Sequence, residues 1–343
     1  MVDVTVRGAG IFGLSVAWSC VRRGARVQIV DPNGVGDGAS GGVLGALAPH
    51  VPENWNEKKA FQLESLLLAE AFWAEVGAVS GQDPSYAREG RLQPIADERQ
   101  LLQARERADG AAQLWEDAAV WEVIPSGQSE WEPHSPSGYL VRDTLTARLH
   151  PRTAVQTLAQ ALATLGAPVV REAEDEGRVV HATGVADLAK LNAAFGKTVG
   201  APIKGQAAVF QYDASGSAQI FADALHIIPH ADGTVAIGST TEREFISPTE
   251  TDAQVNDLIV RARDSVPVLS DAPVVQRWAG LRPRTRSRAP MLGVHPLHSG
   301  QFIANGGFKI GFGMAPKVGE VMAELMLNDR DDIPEGFRPE VSL

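Results

Sequence analysis

Gly8, Gly10 and Gly13 stand at G-A-G-I-F-G spacing directly after the apolar run Val2 to Val6. Asp31 closes the next apolar run, Ala25 to Val30, 18 residues beyond Gly13. Together they can hold a dinucleotide. Gly8 permits a tight turn off the first strand, Gly10 lets backbone approach a pyrophosphate, and Gly13 lets the following helix sit close to the sheet. The amides of Ile11 and Phe12 lie at that helix N-terminus, where unpaired N–H groups attract phosphate. An acid ~20 residues further on accepts hydrogen bonds from an adenosine ribose, so Asp31 favours FAD or NAD over NADP. The fingerprint alone does not separate FAD from NAD.

Other chemistries find less support. His226 and His230 flank Pro229, which disfavours a helix, and residues four apart on a strand are ~13 Å from each other, too far for one ion. His295 and His298 flank Pro296 with no carboxylate cluster beside them, so no metal is expected. Ser40, between Gly38 and Gly41, lacks the spacing of a nucleophile elbow. Cys20 is the only cysteine, which excludes an intrachain disulfide and points to a reducing compartment. It falls on the first helix as a packing residue.

These groups need a sizeable scaffold, and 343 residues with 44 % hydrophobic content supply one or two ordinary cores. The net charge of −11 argues against nucleic acid and anionic membrane as partners. No window approaches a membrane span and the N-terminus has no secretory apolar region, so the expected location is cytoplasmic. Whether the chain forms a homo-oligomer is left open.

Along the chain, Gly34 to Gly42 is too glycine-rich for helix or ordinary strand and suits close backbone approach to a ligand. Apolar spacing predicts a helix over 57–79, ended by Gly77 to Pro84, and a helix from Pro151 to about Leu165. A polar, tryptophan-bearing stretch covers 88–145. Short strands are expected at 169–170 and 179–182, alternating strands over 204–239, and a strand, glycine turn and long helix over 301–327. Nucleotide-type elements at both chain ends predict an α/β fold: a Rossmann-type domain with an inserted α+β domain carrying a largely antiparallel sheet. The expected boundaries are 1–85, 146–202 and 296–343 for the first, and 86–145 and 203–295 for the second.

Five separated segments together resemble the D-amino-acid oxidase superfamily of FAD enzymes, and most nearly its glycine oxidase branch. They are Gly8 to Asp31, Ala39 to Pro49, His226 through Thr241, Trp278 to Pro283, and Asn305 to Pro316. The resemblance implies noncovalent FAD held by the chain ends. Ala39, Ser40, Gly41, Gly45, Ala46 and Leu47 would line the flavin ring, with Thr183 and Gly184 near the adenosine end. Gly307, Phe308, Lys309, Ile310 and Gly311 would form a C-terminal flavin loop whose helix amides favour charge on the ring.

The implied reaction is hydride transfer from a small amino acid or secondary amine to flavin N5. The imine is then hydrolysed, and electrons pass to oxygen with peroxide formed, or to a quinone or partner protein. A non-catalytic flavin-binding subunit is a further alternative. Arg282 would anchor the substrate carboxylate through its guanidinium fork. On charge alone it could equally belong to a solvated basic run with Arg284, Arg286 and Arg288. His226, Thr241 and Lys309 stand where the glycine oxidase branch carries tyrosine, methionine and arginine, which alters the pocket lining and argues against a preference for glycine. A titratable imidazole there predicts pH dependence near 6.5. His50 is a further loop histidine that could lie near the flavin or equally be satisfied by backbone.

Overall fold

The computed structural model describes residues 1–343. In its N-terminal half the strands are β1 (Val4–Arg7), β2 (Val27–Val30), β3 (Gly45–Leu47), β4 (Arg91–Pro94), β5 (Trp121–Pro125), β6 (Tyr139–Asp143) and β7 (Ala147–Leu149). The remaining strands are β8 (Val169–Val170), β9 (Arg178–His181), β10 (Gly200–Gln211), β11 (Gln219–Ala222), β12 (Leu225–Pro229), β13 (Thr234–Gly238), β14 (Val274–Thr285), β15 (Met291–Val294) and β16 (Phe302–Asn305). The helices are α1 (Ile11–Arg22), α2 (Glu57–Ser80), α3 (Glu98–Trp115), α4 (Pro151–Thr164), α5 (Val185–Phe195), α6 (Gln254–Ser265) and α7 (Gly311–Asn328).

Two large sheets organise the molecule. The first has the order β15-β16-β9-β1-β2-β8. Its centre, β1, pairs in parallel with β2 and β9, and Val4, Thr5 and Val6 are wholly buried, as a strand covered on both faces must be. Helices α1 and α7 pack together, with α2 against α7, and fill the larger core with Leu14, Leu66, Trp73, Met314 and Met322. The second sheet has the order β14-β10-β13-β12-β11-β4-β6-β5 and is antiparallel except where β11 meets β4. Phe210, Ile227 and Ile237 on it pack against Leu258 and Ile259 of α6. The α/β architecture with a largely antiparallel second sheet is the one expected. One strand from within 203–295, β15, joins the first sheet through β16.

Helix ends follow local chemistry. Asn56 caps α2 by accepting from Lys59 N–H at 3.2 Å, and the left-handed Gly81 closes it, so Gly77 remains inside the helix instead of ending it. The polar stretch 88–145 holds α3, capped by Asp97, whose side chain accepts from Gln100 N–H at 2.8 Å. Apolar spacing in α3 is sparse, with Ala104, Ala111 and Trp115 as its buried residues, which is why periodicity missed it. No helix is long and apolar enough to cross a membrane.

Candidate active site

A cavity of about 1390 Å³ runs between the two sheets. It exceeds the ~300–1,000 Å³ of ordinary ligand pockets and has room for an extended dinucleotide with a small molecule beside it. At one end lies the fingerprint. Gly8 has φ +111°, and a Cβ there would stand 2.4 Å from Ala182 O, so no other residue fits between β1 and the segment after β9. Helix α1 has no side-chain cap of its own; Ser40 Oγ, from the glycine-rich loop, accepts from Ile11 N–H at 3.0 Å. That loop makes one short 3-10 turn, Ala39–Gly41, and otherwise follows the cavity wall. Asp31 Oδ2 accepts from Ala9 N–H at 2.8 Å, and Oδ1 from Asn33 N–H at 3.0 Å, which aims the carboxylate at the cavity edge.

Gly8, Gly10, Ile11, Phe12, Asp31, Ala39, Ser40, Gly41, Gly45, Ala46, Thr183, Gly184, Gly307, Phe308, Lys309 and Gly311 all line this space. Three expected residues do not. Gly13 lies behind the wall, where a Cβ would meet Gly8 O at 2.0 Å; it supports helix packing and touches no ligand space. Leu47 is fully buried in the core because successive strand residues face opposite ways, and Ile310 caps α7 with its side chain against the same core. Thr183 Oγ1 is buried without a partner, as a group awaiting a ligand would be. The cradle, the orphan hydroxyl and the starts of α1 and α7, neither closed by the side chain of its own N-cap residue, fit a pyrophosphate-bearing flavin dinucleotide.

At the other end stand Arg282, His226 and Lys309, also cavity-lining. Arg282 lies on β14, opposite Ile203 of β10, and is 9 % exposed. Its one hydrogen bond within the chain goes from Nη1 to Thr240 O at 3.3 Å, and it pairs with no carboxylate at salt-bridge distance. The solvated basic run is therefore excluded for Arg282. Burial lowers its pKa to about 10, partly offset by Glu242, so it is charged at neutral pH. Glu242 is held by Lys204, Gln206 and Thr240, a network that fixes the turn after β13.

His226 Nδ1 is buried and unpartnered, and the ring leans on Phe221 with centroids 4.8 Å apart. Burial, reinforced by Arg91 and Lys309, pushes its pKa down to about 3. The imidazole is neutral at physiological pH, so the expected titration near 6.5 does not arise from it. Lys309 is exposed as a residue, and partial desolvation of its ammonium at the cavity wall, with Arg282, lowers its pKa to about 8. Thr241, expected in the lining, is exposed and outside the cavity, because Thr240 turns inward to Gln206 N–H and Glu242 and sends its neighbour to solvent. His50 is held by Gln62 and does not line the cavity. Cys20 is buried in α1, its thiol pushed up to about 12 by burial, and cannot reach a ligand.

Several lining residues went unread as site residues. Trp278 shares the β14 face with Arg282 at a separation of four, and its indole lies 3.2 Å from a Cβ built on Gly42. Period-two reading from Arg282 would have found it. Asn305 Nδ2 donates to Gly184 O at 2.9 Å, tying the two ends of the cavity wall together. No local signal marks that contact.

The chain resembles known proteins over nearly its whole length. It is 26 % identical over 371 residues to glycine oxidase of Bacillus licheniformis, covering 98 % of this chain and 97 % of that protein. It is 26 % identical to glycine oxidase of Pseudomonas putida over 98 % of each. In fold it matches the crystal structure of glycine oxidase from Geobacillus kaustophilus with TM-score 0.84 at 23 % identity, over 98 % of both chains. Iminodiacetate oxidase from Chelativorans sp. BNC1 matches with TM-score 0.84 at 20 % identity, over 98 % of this chain and 99 % of that one. The model of the DAO family, described as FAD dependent oxidoreductase, matches residues 3–325. With the fingerprint, the cradle and this match in agreement, the chain belongs to the DAO family of FAD-dependent oxidoreductases.

Proposed function

We propose that this protein oxidises the C–N bond of a small amino acid or secondary amine, with the imine hydrolysed afterwards in water. The observation that carries the reading is Arg282: a guanidinium buried in the wall of the cavity, with one long hydrogen bond and no carboxylate partner. Such a charge is costly to bury alone and is satisfied by an incoming anion. Its fork matches a carboxylate and holds it at two points, fixing the rest of a small substrate against the opposite wall. The glycine oxidase relatives support an amino acid as that anion.

FAD would be held noncovalently by the α1 fingerprint and the loop before α7 and would supply the hydride acceptor, with oxygen or another acceptor taking the electrons. Everything else is positioning. The uncapped N-terminus of α7, at Gly311, presents backbone N–H groups to negative charge with no acidic residue in its first turn. Trp278 and Phe221 add apolar surface to the same cavity wall. Neutral His226 does not compete for the carboxylate by carrying charge and can take up a hydrogen bond at Nδ1. We assign FAD binding to segments 1–85, 146–202 and 296–343 together with β15 of the first sheet, and the substrate wall to 86–145 and the rest of 203–295.

At the fingerprint end Asp31 and Asp37 are offset by Arg152 and Lys190, while Arg282 and Lys309 bring two cations without a lining carboxylate to the other. This charge asymmetry favours amines with an additional polar or acidic group over glycine. The test is anaerobic bleaching of the flavin absorbance by glycine, sarcosine, larger D-amino acids and acidic secondary amines, followed by oxygen uptake and peroxide assay. Absence of bleaching by every amine would sink the reading. Glycine as the fastest substrate by a wide margin would remove the preference while leaving the activity.

A further inference from the structure

Away from the flavin cavity, three histidines meet. His181 ends β9, while His295 and His298 belong to the segment joining β15 to β16. Their ring centroids lie 4.8 Å (His181 and His295), 5.1 Å (His181 and His298) and 4.5 Å (His295 and His298) apart. One nitrogen from each ring falls within 4.8 Å of the other two. Sequence spacing weighed only His295 and His298, three residues apart in a loop; strand pairing of β9 with β16 brings in the third.

We propose that His181, His295 and His298 form a binding site for a divalent transition metal of the zinc or copper class. Three atoms no further apart than 4.8 Å enclose a point at most about 2.8 Å from each. Shifts of well under ~1 Å then reach the ~2.0–2.1 Å of a metal–imidazole bond. His298 is exposed and can make most of that movement, and its exposure is the entry path. Imidazoles without thiolates suit zinc, copper or nickel over the hard cations.

The groups behind the rings have the form that metal-binding imidazoles use, in which the second nitrogen is oriented by an oxygen. His181 Nε2 donates to Gln301 Oε1 at 2.6 Å, which leaves Nδ1 with its lone pair. His295 Nε2 faces Asp187 Oδ2 at 3.5 Å; both side chains are 1 % exposed and neither atom has a hydrogen-bond partner. Asp187 sits in the first turn of α5 and supplies negative charge against the cation. In the metal-free arrangement Leu297 N–H donates to His295 Nδ1 at 3.1 Å. Leu297 is exposed, so a metal taking Nδ1 leaves that N–H to water. Occupancy would tie β9, α5 and the β15–β16 connection together, one residue before the Ala182 to Gly184 wall.

The experiment uses chelator-dialysed holoprotein. Calorimetric titration with ZnCl₂ should give one ion per chain at micromolar or tighter affinity, with a rise in Tm. With CuCl₂, paramagnetic resonance should show nitrogen hyperfine structure from three imidazoles, the oxidised flavin being silent. His298→Ala, at an exposed position, should retain flavin and lose affinity by roughly 100-fold or more. His134→Ala, at an exposed histidine elsewhere, should change neither measurement. Binding no tighter than millimolar, a copper signal without imidazole nitrogens, or equal affinity in His298→Ala and the parent would overturn the site.

Discussion

The guanidinium of Arg282 occupies the space that a side chain on Gly205 would need: a Cβ built on Gly205 lies 1.9 Å from Nη1 and 2.2 Å from Cζ. The two residues are diagonal neighbours across the antiparallel β10 and β14 pairing, in which Gly205 is opposite Gly280 and Ile203 opposite Arg282. A single methyl at Gly205 must therefore move the group proposed to hold substrate. Gly205→Ala should keep its flavin and its secondary structure while kcat/KM falls roughly 10- to 100-fold, the cost of misplacing a positioning group by about 1 Å. Unchanged kinetics in a folded Gly205→Ala protein would count against Arg282 as the anchor.

Removal of the anchor itself should be more severe. Truncating one partner of a buried charge pair costs ~2 to 5 kcal/mol, so Arg282→Ala should lower kcat/KM by roughly 30-fold or more. Arg282→Lys should recover only part, because the fork is lost. Steady-state kinetics on the substrate identified by flavin bleaching checks both.

The pH profile should report Lys309 and not His226. Lys309 is charged below about 8 and neutral above, so its attraction for an anionic substrate is lost as pH rises through that value. A descending limb in kcat/KM near pH 8 should vanish in Lys309→Met and move upward in Lys309→Arg. His226, lowered to about 3, is neutral throughout the working range, and His226→Asn should leave the limb in place. A limb that survives in Lys309→Met belongs to another group.

Cofactor retention should depend on Asp31. Its carboxylate holds the turn through Ala9 and Asn33 and borders the cavity, and hydrogen bonds to a charged group contribute ~1.5–3 kcal/mol. Asp31→Ala should weaken FAD binding by roughly 10- to 100-fold in a dialysis or fluorescence titration. Acid precipitation of the parent protein should release the flavin into the supernatant; yellow colour kept in the pellet would contradict noncovalent binding.

The fingerprint end of the cavity was legible in the sequence because its constraints are local. A turn that demands φ +111° at Gly8, a helix start at Ile11 and an acid ending β2 are all set within about one βαβ unit. The glycine-rich loop and the α2 and α4 helices were legible for the same reason, through spacing and caps. Family resemblance extended that reading to Arg282 and Lys309, which no spacing rule marks.

What the tertiary structure decided are the contacts between residues far apart in the chain. Strand pairing placed Gly205 beneath Arg282, a turn stabilised by Gln206 and Glu242 sent Thr241 outward, and the core drew Leu47 away from the cavity. Burial moved His226 out of the physiological titration range, an effect of desolvation that residue type alone cannot reveal. The histidine cluster is of the same kind: His181 and His295 are brought together by the parallel ladder of β9 with β16 and the antiparallel ladder of β16 with β15, and register across a sheet is fixed by the packing of its faces and not by the local run of residues.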